Sequence, residues 1–333
     1  MEIAFLVSRS DKPSTKFRIK SYLPLLAEEG VSATVFPLSR KILGRWKIFY
    51  CLNRYDLILI QKKLFSFGEL ICIRHRSRRL VYDFDDAVMF KGGEKLNPAN
   101  PIRQKRFYKT VRFCDWIIAG NSYLQKEAGV SSDRISLLPT PVDTDKYRPQ
   151  KKNNRGEKIT IGWLGSKSTV NYLKPLIPVF SELRAKFPGL KIKLVSDGFP
   201  GIEELGAIQK IWKEEEEISD LHSFDIGIMP LPDDPWTQGK CGFKLLQYQA
   251  VGLPVICSPV GINKEIVTDN VNGFLANTPQ EWIEKLSHLI SSSESRIRMG
   301  KTGRERMVER YSLKAIWPHF FSILKRVASL ADR

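Results

Sequence analysis

Cysteine and histidine are both scarce, with five Cys and four His in 333 residues. Cys51, Cys72, Cys114, Cys241 and Cys257 are scattered, odd in number and never paired as C-x-x-C. That pattern suggests neither a disulfide framework nor a zinc site. His75, His222, His288 and His319 fall in no catalytic pattern. No window approaches the roughly 18 apolar residues that a membrane-spanning helix needs. Internal repeats, low-complexity blocks and nucleic-acid motifs are also absent. The opening MEIAFLVS is too short for a signal-peptide core and lacks a basic leader. These absences predict an untranslocated chain in a reducing cytosol that does not bind nucleic acid.

The composition is that of a folded protein, 42% hydrophobic, and the length is that of about two domains. The formal charge of +17 is concentrated in residues 1–150, which carry 27 Lys and Arg against 15 Asp and Glu. The first half is therefore expected to face something anionic: nucleic acid, an anionic lipid surface or a phosphorylated substrate. A solvated basic surface with no partner fits the same numbers.

EIAFLV, VSATVF, YDLILI, RLVYDF and DWIIAG read as short buried strands separated by helical segments such as 17–29. The alternation predicts a parallel sheet covered on both faces. The stretch 143–158 is polar and nearly free of apolar residues, as linkers are. A second series follows it: KITIGWL, a helix near 170–187, LKIKLV, AIQKIW, a helix over 214–223, FDIGIM, a helix over 242–251, LPVICS and NGFLA. Helices near 280–290, 294–310 and 312–330 end the chain. The expected division is 1–148, a linker at 149–157, 158–312, and a terminal helix 313–333 that could pack on the first domain.

The chemistry gathers in GKCGFKLLQYQAVGLPVICSPVG, 239–261. A helix starting at Gly242 puts Lys244 and Gln247 on one face, three residues apart. Helix N-termini favour anions, Lys244 adds a full charge, and the Gln247 amide can bond sugar hydroxyls. A surface helix with an exposed Lys and Gln is the bland alternative. In WLGS, after a strand, Gly165 lets an anion approach the backbone, where Ser166 and Lys167 can donate to it. Asp197 ends LKIKLV, where it could read a base or close a turn. DFDDA places Asp83, Asp85 and Asp86 at a strand's C-terminal end, where open parallel sheets bind ligands and one carboxylate could act as a base. Helix capping is the alternative.

The 239–261 segment, with IGWLGSKSTVNYL, NSYL, LPTPVDTDKY, DIGIMPL, NGFLA and RMGKTGRERMVERYS in order, resembles the family 4 glycosyltransferases over almost the whole chain. The resemblance implies an α/β GT-B fold, two Rossmann-like domains facing a central cleft. It also implies a retaining hexosyl-type transfer from a nucleotide-diphosphate sugar such as a UDP or GDP sugar, without a metal cofactor. The donor would be held by Gly165, Ser166, Lys167, Asp197, Lys240, Gly242, Phe243, Lys244 and Gln247, with Lys244 on the diphosphate. Lys244, Asp85 and Asp86 are the catalytic candidates, and Arg18, Asp83 and Asn121 lie on the acceptor side. The chain departs from the family at Gln247, which replaces the glutamate that binds the ribose hydroxyls. A weaker ribose contact is expected there.

Trp46, Phe49, Tyr50 and Leu52, interleaved with Arg40, Lys41, Arg45 and Lys47, suit a helix lying on an anionic membrane, and equally suit core packing with a solvated rim. The expected partner set is a nucleotide sugar, an anionic or lipid-linked acceptor and the cytoplasmic membrane face, as in surface polysaccharide assembly. Two rivals are a non-catalytic relative binding an anionic partner, for which Gln247 would mark lost activity, and an epimerase or phosphorylase of the same fold.

Overall fold

The computed structural model describes residues 1–39, 41–92, 100–150 and 158–331. Contacts divide the chain into two compact units. The first comprises Met1–Pro141, Gln238–Cys241 and Leu313–Arg333, and the second Val142–Thr237 and Gly242–Ser312. The first unit therefore ends at Pro141 and not at 148, and it takes in Gln238–Cys241, which the sequence reading placed in the second domain. From residue 151 on, the expected linker lies outside the described residues.

Unit 1 runs β1 (Glu2–Val7), α1 (Pro13–Arg18), α2 (Leu23–Glu28), β2 (Ser32–Pro37), α3 (Ile42–Tyr50), β3 (Leu57–Gln61), α4 (Phe67–His75), β4 (Arg79–Phe84), α5 (Pro101–Phe113), β5 (Trp116–Ala119), α6 (Ser122–Glu127) and β6 (Ile135–Leu137). The strands form a parallel sheet ordered β2-β1-β3-β4-β5-β6. Every residue of β3, β4 and β5 is buried, as helices on both faces require, which is why these strands read as apolar runs. The single helix expected over 17–29 is broken. A 3-10 turn at Lys20–Tyr22 separates α1 from α2, which restarts with Pro24 in its first turn, where a missing N–H costs nothing.

Unit 2 runs β7 (Thr160–Leu164), α7 (Ile177–Lys186), β8 (Lys191–Ser196), β9 (Ile208–Ile211), α8 (Glu217–His222), β10 (Ile226–Met229), α9 (Pro235–Gln238), α10 (Phe243–Ala250), β11 (Val255–Cys257), α11 (Asn263–Ile266), β12 (Phe274–Leu275), α12 (Pro279–Ser291) and α13 (Ser293–Arg306). Its sheet is again parallel, ordered β12-β11-β10-β7-β8-β9. Gly162 in β7 is obligatory, because a Cβ there would lie 1.9 Å from the Phe224 ring. Thr278 and Glu281 close a capping box at the start of α12. The last helix, α14 (Leu313–Ala328), belongs to unit 1. It buries Ile316, Phe320, Ile323, Leu324 and Val327 against the unit 1 core, with Phe320 stacked on Tyr22 at 4.2 Å.

Candidate active site

In unit 2 the chain enters α10 through Gly242, which has φ 65°. A Cβ there would also lie 2.4 Å from Ile266 Cδ1, so both backbone and space demand glycine. Gly242 caps the helix with no side chain. One residue into α10, the Lys244 ammonium rests 4.5 Å from the Trp163 ring centroid. It is also 2.9 Å from where a Cβ on Gly165 would stand, so glycine keeps this space open. Ser166 and Lys167 follow, both exposed, just past the C-terminal end of β7. Asp197 Oδ1 accepts from the Lys167 N–H at 2.6 Å, so this carboxylate fixes the turn. Phe243 is half-buried and packs on the core. A cation, exposed hydroxyl and amine groups and the start of α10 thus converge at the end of a parallel sheet where ligands bind.

Gln247 departs from its expected open position, being only 3% exposed. Its Nε2 donates to Glu217 Oε1 at 3.0 Å and to Tyr147 Oη at 3.2 Å. Tyr147 Oη in turn donates to Glu217 Oε1, and Trp212 Nε1 donates to Glu217 Oε2 at 2.9 Å. Burial, then Glu217, pushes the Tyr147 phenol well above its usual range, so it stays a donor.

Unit 1 holds the aspartate cluster at the end of β4. Asp83 is buried in a two-point ion pair with Arg18, Nε to Oδ2 at 3.0 Å and Nη2 to Oδ1 at 2.5 Å. Arg18 also donates to Leu138 O at 2.9 Å and Thr140 Oγ1 at 3.1 Å. Both residues are buried, each 3% exposed. Lys62 pairs with Asp85 at 3.0 Å and with Asp86. Its left-handed backbone, φ 57°, is unusual for a side-chain-bearing residue.

Lys240, expected on the donor, instead reaches Asp86 Oδ1 at 3.4 Å within unit 1. Burial pushes the Asp86 carboxyl up, but Lys240 and Lys62 outweigh it and hold it at about 2. Asn121 is buried: its Oδ1 caps α6, and its Nδ2 donates to Gln238 O at 3.2 Å and Lys240 O at 2.9 Å. These bonds tether Gln238–Cys241.

The helix expected on a membrane is α3. Phe49 and Leu52 are fully buried, contrary to that expectation, while Ile42, Leu43, Trp46 and Tyr50 are exposed. Arg45 is bonded to Glu69 at 2.7 Å, and Arg40 lies outside the described residues. Among the described residues no helix is long and apolar enough to cross a membrane.

Residues 144–306 match the family model described as Glycosyl transferases group 1. That stretch is a group 1 glycosyltransferase domain. The D-inositol 3-phosphate glycosyltransferase of Corynebacterium urealyticum is 22% identical over 198 residues, 50% of this chain and 46% of that protein. The chain spans under half the length of the curated relatives it matches. HepE of Anabaena, crystallised with UDP and glucose, superposes with a TM-score of 0.72 at 17% identity over 98% of this chain and 100% of that one. Sucrose-phosphate synthase of Thermosynechococcus elongatus gives 0.77 at 14% identity over 98% of both. The fold is GT-B.

Of the residues singled out from the sequence, the glycosyltransferase domain brings together Gly165, Ser166, Lys167, Asp197, Gly242 and Lys244. Lys240, Asp85 and Asp86 belong to unit 1, where Lys62 pairs with Asp85 and Lys240 with Asp86. Lys62, Tyr147 and Glu217 went unnoticed. Glu217 ends an acidic run, 214–217, that reads as a solvated face, and only its burial distinguishes it.

Proposed function

We propose that the protein is a retaining glycosyltransferase of family 4 that moves a sugar from a nucleotide-diphosphate sugar to an acceptor hydroxyl. The observation that carries this reading is the placement of Lys244 over Trp163 beside Gly165, with Ser166 and Lys167 exposed next to it. In this reading Lys244, the loop amides and the start of α10 hold the diphosphate. Their fixed positive potential stabilises the charge that grows as the glycosidic C–O bond breaks. The departing phosphate oxygen takes the acceptor proton. Lys244 thus supplies the countercharge, and no metal cofactor is invoked. Gln247 meets the ribose of the same nucleotide. The crystallisation of HepE with UDP favours a uridine donor.

The acceptor in this reading is an anionic or lipid-linked glycan at the cytoplasmic membrane face. α3 exposes Ile42, Leu43, Trp46 and Tyr50, and α5 carries five cations and no acid while exposing Ile102 and Tyr108. A surface that mixes apolar and cationic groups suits an anionic bilayer. The reaction itself is tested by thermal shift across UDP, GDP and their sugars, followed by product analysis. A ligand at 100 times its Kd adds about 2.7 kcal/mol of stability. A shift with one nucleotide series and transfer with retained anomeric configuration is the expected result, whereas no shift with any member contradicts it.

A further inference from the structure

Unit 2 holds a cavity apart from the site at Lys244. About 330 Å³ in volume, it lies where β10, β11 and β12 end, between the 3-10 stretch Val170–Leu176 and the first turn of α12. That volume falls within the roughly 300–1,000 Å³ of small-molecule sites. None of Gly165, Ser166, Lys167 and Lys244 lines it. Its frame is rigid, because Pro175, Pro230, Pro232 and Pro279 fix the backbone in three of the segments around it. A preformed cavity loses little freedom on binding.

The wall is polar and nearly uncharged. Among the described residues that line it there is no Lys, Arg or His, in a chain with 53 Lys and Arg, and Asp233 is the one charged group. An anion meets no counter-charge there. Leu176, Leu231 and Tyr172 supply apolar surface. Ser258 Oγ accepts from the Leu231 N–H at 3.0 Å, which leaves the hydroxyl proton to donate. The Asn277 N–H goes to Glu281, while its exposed side chain bonds no described residue. Trp282 is only 3% exposed, yet its indole N–H, a donor and nothing else, meets no described acceptor and is not sealed from solvent. A donor held in so closed a place requires an oxygen from elsewhere.

We infer that this cavity is a second ligand site, for a neutral pyranose. Sugar hydroxyls both donate and accept, so they satisfy the Trp282 and Ser258 donors and the mixed demands of the Asn171 and Asn277 amides and the Asp233 carboxylate. The C–H face of the ring suits Leu231 and Tyr172. A phosphate or uronate would meet Asp233 with no cation to offset it. The inference does not rest on the proposed transfer, because the diphosphate site at Lys244 shares none of these residues.

The test is saturation-transfer NMR on the full chain with the methyl glycosides of glucose, galactose, mannose and N-acetylglucosamine. Glucuronic acid and glucose 1-phosphate serve as charged counterparts. At least one neutral glycoside should bind, with an affinity unchanged by saturating UDP or GDP, and the charged sugars should bind at least about tenfold more weakly. Trp282→Phe keeps the packing and removes the N–H, and Asn277→Ala removes an exposed amide. Each should weaken the glycoside about three- to tenfold, the worth of one hydrogen bond, with nucleotide affinity unchanged. Asp233→Asn should narrow the gap to the charged sugars. If Trp282→Phe fails to fold, Asn277→Ala and Asp233→Asn decide. No binding by any neutral glycoside overturns the inference and leaves the proposed transfer standing. Displacement by UDP or GDP also overturns it, since the sugar would then occupy the donor site. Equal binding of the charged sugars to wild-type protein does the same, as does unchanged glycoside affinity in the folded variants.

Discussion

Lys240 Nζ lies 3.4 Å from Asp86 Oδ1, joining residues 154 positions apart in the chain. The pair belongs to unit 1, although Lys240 precedes the helix that carries Lys244 by only a few residues. With Lys62 on its other oxygen, Asp86 is an ion-paired carboxylate whose folded pKa is depressed from 3.8 to about 2.

A depressed carboxylate contributes stability that is present above its unfolded pKa and lost as pH falls through the folded one. Asp86 should therefore stabilise the protein by about 2 kcal/mol at neutral pH, with the loss spread between about pH 4 and pH 2. Asp86→Asn should remove that contribution at pH 7 and flatten the acid limb. Urea denaturation across pH for both proteins checks it, and an unchanged limb in the variant would refute it.

Gly165→Ala would place a Cβ 2.2 Å from the Trp163 ring and 2.9 Å from Lys244 Nζ. The ring is buried and cannot retreat far, so the ammonium must move. Nucleotide affinity should fall at least about tenfold, with stability lowered by about 1 to 3 kcal/mol, the usual cost of overpacking. Calorimetry paired with thermal denaturation separates the two effects.

The basic face makes a salt-dependent prediction. Lys105, Arg106 and Arg112 are exposed on α5, so their replacement by Glu should leave the fold intact. Charge attraction acts within about 8 Å at physiological salt. Co-sedimentation with anionic vesicles should therefore weaken with added salt and vanish in the variant, while nucleotide binding persists. Equal sedimentation with neutral and anionic vesicles would remove the membrane from the account.

Most of the strands were legible because doubly covered parallel strands are written as uninterrupted apolar runs, as in LILIQ and RLVYDF. β6 was not, since three residues carry no period. Lys244 and the 165–167 turn were legible because glycine spacing and a lone cation in an apolar helix are local signals. The fate of Lys240, Asn121 and Arg18 was not local: each is decided by a partner more than 60 positions away. Gln247 shows the same limit, because its amide donates to Glu217, 30 positions upstream in an acidic run.

The most direct test of the account is the affinity of Lys244→Ala for UDP and GDP by isothermal titration calorimetry, set against the wild-type values. The Lys244 side chain leans on one face of Trp163 and caps no element, so the variant should fold normally. Loss of a charge-assisted contact should weaken binding of the preferred nucleotide by roughly 1.5 to 3 kcal/mol, about 10- to 150-fold. Unchanged affinity in a folded variant would contradict the assignment of Lys244 to the donor diphosphate.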